Sequence, residues 1–178
     1  MTMKRLIALS LVLTGMLFFC ACEKEMIKPE FQQEDIGVLK KAMKHTVPFR
    51  ATFSQKQTLF DPGPPVYVEL EGLGNVTHLG KTNLWVGQVW GGIFPNVEGA
   101  ATVVFTAANG DELHADLYAY NTIGLDDGVP VSGTVWGSGT FTGGTGRFSN
   151  ATGTYDMTAY ADLITGESNA SYTGEIMY

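Results

Sequence analysis

The chain has 178 residues, a length that favours one domain with a short appendage. Its 18 acidic residues outnumber the 11 basic ones, and the formal net charge is −7. A chain this acidic repels the phosphate backbone, so nucleic acid is excluded as an expected partner.

Residues 1–21 have the composition of a processing signal. Lys4 and Arg5 precede the uncharged, largely apolar run Leu6–Phe19. That run is shorter than the ~20 residues that a helix needs to cross a bilayer. We therefore predict a signal peptide over 1–21. An ordinary cleaved signal and an uncleaved anchor are the alternatives to a lipoprotein signal.

The only two cysteines, Cys20 and Cys22, lie where this segment ends. Ala21 places a small residue directly before Cys22, and this arrangement resembles the lipobox of bacterial lipoproteins. The resemblance implies acylation of Cys22 and a lipid anchor to the outer membrane, with the protein facing the periplasm or the outside. Removal of residues 1–21 takes away two bases and no acids, which leaves a net charge of −9.

The segment 22–45 is charged and lacks strand alternation. Pro29 suits the first turn of a helix, and Ile36, Leu39 and Met43 fall on one helical face. Gly37 weakens a helix at this point. We therefore expect a solvated tether with a short nascent helix, in preference to a helix docked on the domain.

From residue 46 onward the chain shows the two-residue periodicity of β-strands, punctuated by Gly, Pro and Asn-Gly signals. Residues 121–130 are expected to form a loop, and 132–178 to form three antiparallel strands. The five strands expected before them are Pro48–Lys56, Val66–Leu73, Val76–Trp90, Gly99–Ala107 and Glu112–Tyr120.

Eight short antiparallel strands with local connections predict an all-β domain over 46–178. We expect a closed, eight-stranded, up-and-down barrel, because closure removes the exposed strand edges that invite aggregation. A two-sheet β-sandwich is the alternative architecture.

Two short segments carry a resemblance to a known group of barrels. The turn Gly143–Phe148 with the following Ala151–Gly153 resembles a segment of the allene oxide cyclase and dirigent-like barrels. Together with Thr77–Gly80, it resembles still more a group of small secreted bacterial proteins. The resemblance implies an eight-stranded, calycin-like barrel with a central cavity, and no catalytic residue is carried over from it. The glycines permit positive φ in a tight turn, and Phe148 is expected to pack inward.

Five residues are candidates for ligand binding. His78 lies between apolar neighbours, although a purely structural histidine is the more favoured interpretation. Arg147 could pair with a ligand carboxylate or with the chain's own acids. Trp85, Trp136 and Tyr155 supply amphipathic aromatic surface that would suit an apolar ligand, although aromatic residues at strand spacing mostly belong to a core. The sequence predicts neither a metal site nor a cofactor.

The predicted function is that of a membrane-anchored bacterial lipoprotein. Its barrel is expected to bind a small apolar ligand without catalysis or to act as a surface interaction module. A barrel-type isomerase or cyclase and a purely structural envelope protein are the alternatives. An enzyme would need ionisable side chains inside the barrel, whereas a binding protein needs only a cavity.

Overall fold

A computed structural model describes residues 45–178 of the chain. The predicted signal peptide over 1–21, the lipidation site at Cys22 and the tether up to residue 44 lie outside the described residues. Within the described part, no helix has the length and apolar character needed to span a bilayer.

The domain is a closed barrel of eight antiparallel strands, each paired with its neighbours in sequence. The predicted barrel is confirmed, and the β-sandwich alternative is wrong. The strands are β1 (Thr46–Asp61), β2 (Val66–Val76), β3 (Gly80–Ile93), β4 (Asn96–Ala107), β5 (Glu112–Asp126), β6 (Val129–Gly144), β7 (Thr152–Asp162) and β8 (Glu167–Met177).

Strand β1 closes the barrel by pairing with β2 on one side and β8 on the other. Ala51, for example, faces Val76 of β2 and Tyr172 of β8. Buried and exposed residues alternate along β1, where Phe49 and Ala51 are buried and Arg50 is exposed. Because successive side chains of a strand point to opposite faces, this alternation sorts each strand into an inner and an outer set.

Two segments differ from the sequence-based expectation. Residues 121–130 form a loop only at Asp127 and Gly128, whose φ values of 46° and 82° make the hairpin turn between β5 and β6. Val76 ends β2 and does not begin β3. The intervening turn contains His78 with a φ of 69°.

The turns divide into two ends of the barrel. At the end that we call the open end lie the turns after β1, β3, β5 and β7. The opposite, closed end carries the turns after β2, β4 and β6, together with the first residue of β1 and the last of β8.

The closed half of the barrel is filled by aromatic side chains. Neighbouring ring centroids in this set are separated by 4.8 Å (Phe49 to Phe141) to 6.3 Å (Phe49 to Tyr155). We call the set the aromatic plug, and its members are Phe49, Phe53, Phe105, Phe141, Tyr155 and Tyr172.

Phe148 seals the closed end beneath the aromatic plug. It belongs to a short 3-10 turn, Gly146–Phe148, and its side chain is fully buried. The prediction that Phe148 packs inward is confirmed. Phe148 and the aromatic plug therefore fill the closed end of the interior with packed rings.

Candidate functional site: an apolar cavity at the open end

An interior cavity of about 310 Å³ occupies the open half of the barrel. It reaches from Tyr172, on the plug, to Phe60, Phe94 and Leu163 at the ends and turns of the strands. Ligand sites in proteins are typically apolar clefts of about 300–1,000 Å³, so this cavity suits a small molecule.

The wall of the cavity is mostly aliphatic. Six strands contribute inward-facing side chains to it, because every second residue of each strand points into the barrel. These side chains are Val68, Leu70, Val86, Trp90, Leu117, Val135, Met157 and Ala170. Trp90 is the one tryptophan of the described residues that lines the cavity.

Carboxamide side chains interrupt this apolar wall at four positions, which are Gln55, Gln57, Gln88 and Asn121. They lie on three strands, β1, β3 and β5, at inner positions where an apolar residue would otherwise be expected. A carboxamide both donates and accepts hydrogen bonds without carrying charge. The cavity can therefore orient a polar group of a neutral ligand.

Gln55 and its partners form the floor of the cavity. The Ser168 hydroxyl donates to Gln55 Oε1 at 2.9 Å, and Gln55 Nε2 donates to the Tyr172 hydroxyl oxygen at 3.4 Å. All three residues are buried. Burial raises the pKa of Tyr172, so its phenol stays neutral at physiological pH.

Asn121 carries a buried polar atom without a partner. Its Oδ1 has no hydrogen-bond donor among the described residues, although it is inaccessible to solvent. The side chain lies over Gly133 of β6, where an added Cβ would come within 2.9 Å of Oδ1. An unsatisfied buried acceptor of this kind costs about 1–3 kcal/mol.

Asp162 is the only carboxylate that lines the cavity among the described residues. Its Oδ1 accepts hydrogen bonds from the backbone N–H groups of Ile164 at 2.8 Å and Thr165 at 3.0 Å. These hydrogen bonds hold the pKa of Asp162 below its ordinary value. The carboxylate is thus ionised and engaged in its own turn.

Two of the predicted ligand-binding residues, Trp85 and Trp136, lie on the outer wall. Trp136 is 45% exposed and stacks on Tyr120 of the neighbouring strand, with ring centroids 6.0 Å apart. Trp85 is half-buried and lines a depression on the outer surface together with Tyr67 and Val89.

His78 and Arg147 come together at the closed end, far along the strands from the cavity. The Arg147 guanidinium donates to the backbone carbonyl of His78 and lies 4.7 Å from the centroid of the Phe148 ring. His78 Nε2 is 3.1 Å from the carbonyl oxygen of Pro48. Both side chains are exposed and hold turns together, which agrees with the structural interpretation of His78.

Tyr155 points into the barrel but belongs to the aromatic plug. Its hydroxyl donates to the backbone carbonyl of Asp116 at 3.3 Å, and burial raises its pKa. None of the five predicted residues lines the interior cavity, and their role in ligand binding stays a prediction. The structure does not bring the five into one site.

The cavity carboxamides are not among the predicted ligand-binding residues. Their signal was available, since Gln55 continues the inner set of Phe49, Ala51 and Phe53 in strict alternation. A polar residue at an inner position needs a partner or a cavity, because a buried amide without hydrogen bonds is costly.

Among residues 45–178, no three His, Cys, Asp or Glu side chains lie close enough to hold a metal ion. No protein-family model matches the sequence, and no curated protein matches it either. The resemblance to the allene oxide cyclase and dirigent-like barrels therefore stays a prediction, and the cavity itself is the basis for a functional proposal.

Proposed function

We propose that this protein is a lipid-anchored binding protein of the bacterial cell envelope, whose barrel takes up a small apolar molecule. One observation carries the proposal: the barrel is solid at its closed end and has a cavity of about 310 Å³ with an aliphatic wall at its open end. A purely structural barrel would gain stability from filling this volume, because unfilled apolar space costs packing energy.

The ligand that fits this cavity is neutral and mostly apolar, with at least one hydroxyl, carbonyl or amide group. Its apolar part would contact the aliphatic wall, and its polar group would reach Gln57, Gln88 or Asn121. A charged ligand would lack a counter-ion, because Asp162 is bound to its own turn. Transfer of an unpaired charge into such a site is strongly unfavourable.

Binding without catalysis is the function that we favour over an isomerase or cyclase. An isomerase or cyclase would need ionisable side chains that point into the barrel. Five candidates lie instead at outer positions or in exposed turns: Arg50, Glu69, Glu71, His78 and Arg147. Glu69, for instance, accepts a hydrogen bond from the Tyr67 hydroxyl at 2.8 Å on the outer wall. General acid–base catalysis needs a titratable group within hydrogen-bond reach of the substrate. Among the described residues, the cavity lining contains two such groups, but Asp162 is bound by the backbone N–H groups of its own turn and the neutral Tyr172 phenol is bound by Gln55.

Ligand uptake can be measured with the neutral fluorophore N-phenyl-naphthylamine, through energy transfer from Trp90 in the cavity wall. Ala159→Phe would fill part of the cavity, and we expect it to weaken binding of the fluorophore at least about tenfold. Ala100→Phe adds the same side chain on the exposed outer wall and should leave binding unchanged. Equal affinity in both variants, or no uptake by the parent chain, would overturn the binding proposal.

The anchor can be tested separately in cells. We expect the wild-type protein to incorporate a fatty-acid label and to sediment with membranes. A Cys22→Ser variant should lose the label and the membrane attachment, whereas Cys20→Ser should keep both. Labelling that survives in Cys22→Ser would rule out this residue as the anchor and would leave the cavity proposal intact.

A further inference from the structure

Large apolar side chains are concentrated on the turns of the open end. They come from all four turns or from the strand residues that flank them, and each is between 38% and 85% exposed. We call this set the apolar rim, and it consists of Leu59, Phe60, Ile93, Phe94, Leu125, Val129, Leu163 and Ile164. Ile93 and Ile164 are the most exposed, at 85% and 73%.

The closed end of the same barrel is different. Among the described residues, Tyr178 is the one exposed large apolar side chain there. The turns are built from small and polar residues, such as Asn109, Asp111 and Asn150. The apolar rim is therefore a property of one end of the molecule. A concentration of exposed large apolar side chains at one end of a domain points to an interaction site.

Charge limits what can cover the apolar rim. The charged residues on the turns of the open end, or at the strand ends that flank them, are all acidic: Asp61, Asp126, Asp127, Asp162 and Glu167. A second copy placed mouth to mouth would bring two such acidic sets together in a poorly solvated contact, where like charges repel strongly. A zwitterionic lipid surface presents ammonium groups to these carboxylates and hydrocarbon to the rim, so it complements both features.

The position of the anchor permits this orientation. β1 begins at the closed end, and the 24 residues from Cys22 to His45 can span at most about 80 Å. A 16-residue strand tilted by ~40° makes the barrel about 40 Å tall. The chain between anchor and barrel is thus long enough for the open end to reach the membrane that holds Cys22.

We propose that the apolar rim docks on a zwitterionic lipid surface and places the mouth of the cavity against the bilayer. This proposal rests on the proposed function, since it gives the cavity its source of ligand: a neutral, lipid-soluble molecule that enters from the membrane without crossing water. Phe60, Phe94 and Leu163 belong to both the apolar rim and the cavity lining, so the rim borders the mouth of the cavity.

Docking can be measured with vesicles of phosphatidylethanolamine and phosphatidylcholine. The protein used is the chain from residue 22 with Cys22→Ser, so that no acyl chain contributes to binding. The double variant Ile93→Glu/Ile164→Glu should lower the partition coefficient at least about tenfold, because two apolar anchors are replaced by charges. Leu73→Glu/Val89→Glu makes the same chemical change on the exposed outer wall and should stay within about twofold of the parent.

Three results would overturn the docking proposal. These are no sedimentation of the parent with vesicles, equal losses in the rim and wall variants, or a dimer in light scattering that the rim variant abolishes. Uptake of N-phenyl-naphthylamine in lipid-free buffer separates this proposal from the proposed function. If the parent protein binds the fluorophore but not the vesicles, only the docking proposal is contradicted. If it binds the vesicles but not the fluorophore, only the cavity proposal is contradicted.

Discussion

Gly139 of β6 lies directly opposite Tyr155 of β7, and the Tyr155 ring covers the space that a side chain at position 139 would need. A Cβ built on Gly139 would lie 2.4 Å from Cζ of Tyr155 and 2.5 Å from its hydroxyl oxygen. The absence of a side chain at position 139 therefore allows the aromatic plug to fill the closed half of the barrel.

We expect Gly139→Ala to destabilise the barrel by about 1–3 kcal/mol, because the added methyl group would clash with the Tyr155 ring and with the backbone carbonyl oxygen of Asp116, which lies 2.4 Å from the built Cβ. Gly91→Ala is the matched control, since nothing lies within 4 Å of a Cβ at that position. The measurement is the free energy of unfolding in urea. Equal effects of the two substitutions would contradict the packing role of Gly139.

The alkaline behaviour of the aromatic plug follows from burial. Burial raises the pKa of both Tyr155 and Tyr172 above the ordinary tyrosine value of 10.0. A raised pKa in the folded state favours the neutral form. The two buried phenols therefore make their full contribution to the free energy of unfolding below pH 10, the ordinary tyrosine pKa. The contribution is lost as the pH rises from there through the raised pKa of the folded state.

We therefore expect two of the seven tyrosines to resist ionisation until the barrel unfolds in alkali. The phenolate absorbance measured against pH should show a first transition from the accessible tyrosines. A second transition should coincide with the loss of the β-sheet circular dichroism signal. In Tyr155→Phe the second step should shrink by half. A single transition completed while the sheet signal is intact would contradict the prediction.

Much of the fold follows from alternation in the sequence, and the misplaced segments have a physical reason. β5 continues beyond Tyr120, where a loop is predicted, because Asn121 interrupts the apolar inner set of the strand and Ile123 resumes it. The Asp127-Gly128 pair was part of a predicted loop, but it makes a two-residue hairpin turn through positive φ. Local turn chemistry fixed the strand length there.

The candidate site was harder to predict than the fold. Trp85 and Trp136 were chosen for their aromatic chemistry, although their neighbours Leu84, Val86 and Val135 occupy inner positions and leave the tryptophans outside. The two-residue period alone predicts that both tryptophans lie on the outer wall. The cavity cannot be predicted in this way, because its existence depends on which inner side chains from eight strands meet at one level of the barrel.

The seal at the closed end predicts unequal effects for two adjacent residues. Phe148→Ala removes a fully buried ring and should destabilise the domain by about 3–5 kcal/mol. Arg147→Ala should cost about 1 kcal/mol or less, because an exposed guanidinium over a ring contributes little. Thermal unfolding of both variants measures the difference. A larger effect for Arg147→Ala would show that its hydrogen bond to the His78 carbonyl, and not the Phe148 ring, holds this end together.

The floor of the cavity predicts an energetic coupling between Gln55 and Ser168. Gln55→Leu leaves the Ser168 hydroxyl without its acceptor and removes the donor to Tyr172, at a cost of about 1–3 kcal/mol. Adding Ser168→Ala to this variant should cost little more, since the stranded hydroxyl is then gone. We expect a coupling energy of about 0.5–2 kcal/mol from the double-mutant cycle in urea.

Gln88→Leu provides the control for this cycle, because Gln88 lines the same cavity and has no hydrogen bond to Ser168 in the described structure. Its effect should add to that of Ser168→Ala within the error of the measurement. If Gln55 and Gln88 have equal coupling energies with Ser168, the carboxamides act through a shared change in the cavity and not through the hydrogen bond of the floor. If only Gln55 is coupled to Ser168, then Gln55 stabilises the floor through its hydrogen bonds. Gln57, Gln88 and Asn121 are then left to bind the polar group of a ligand.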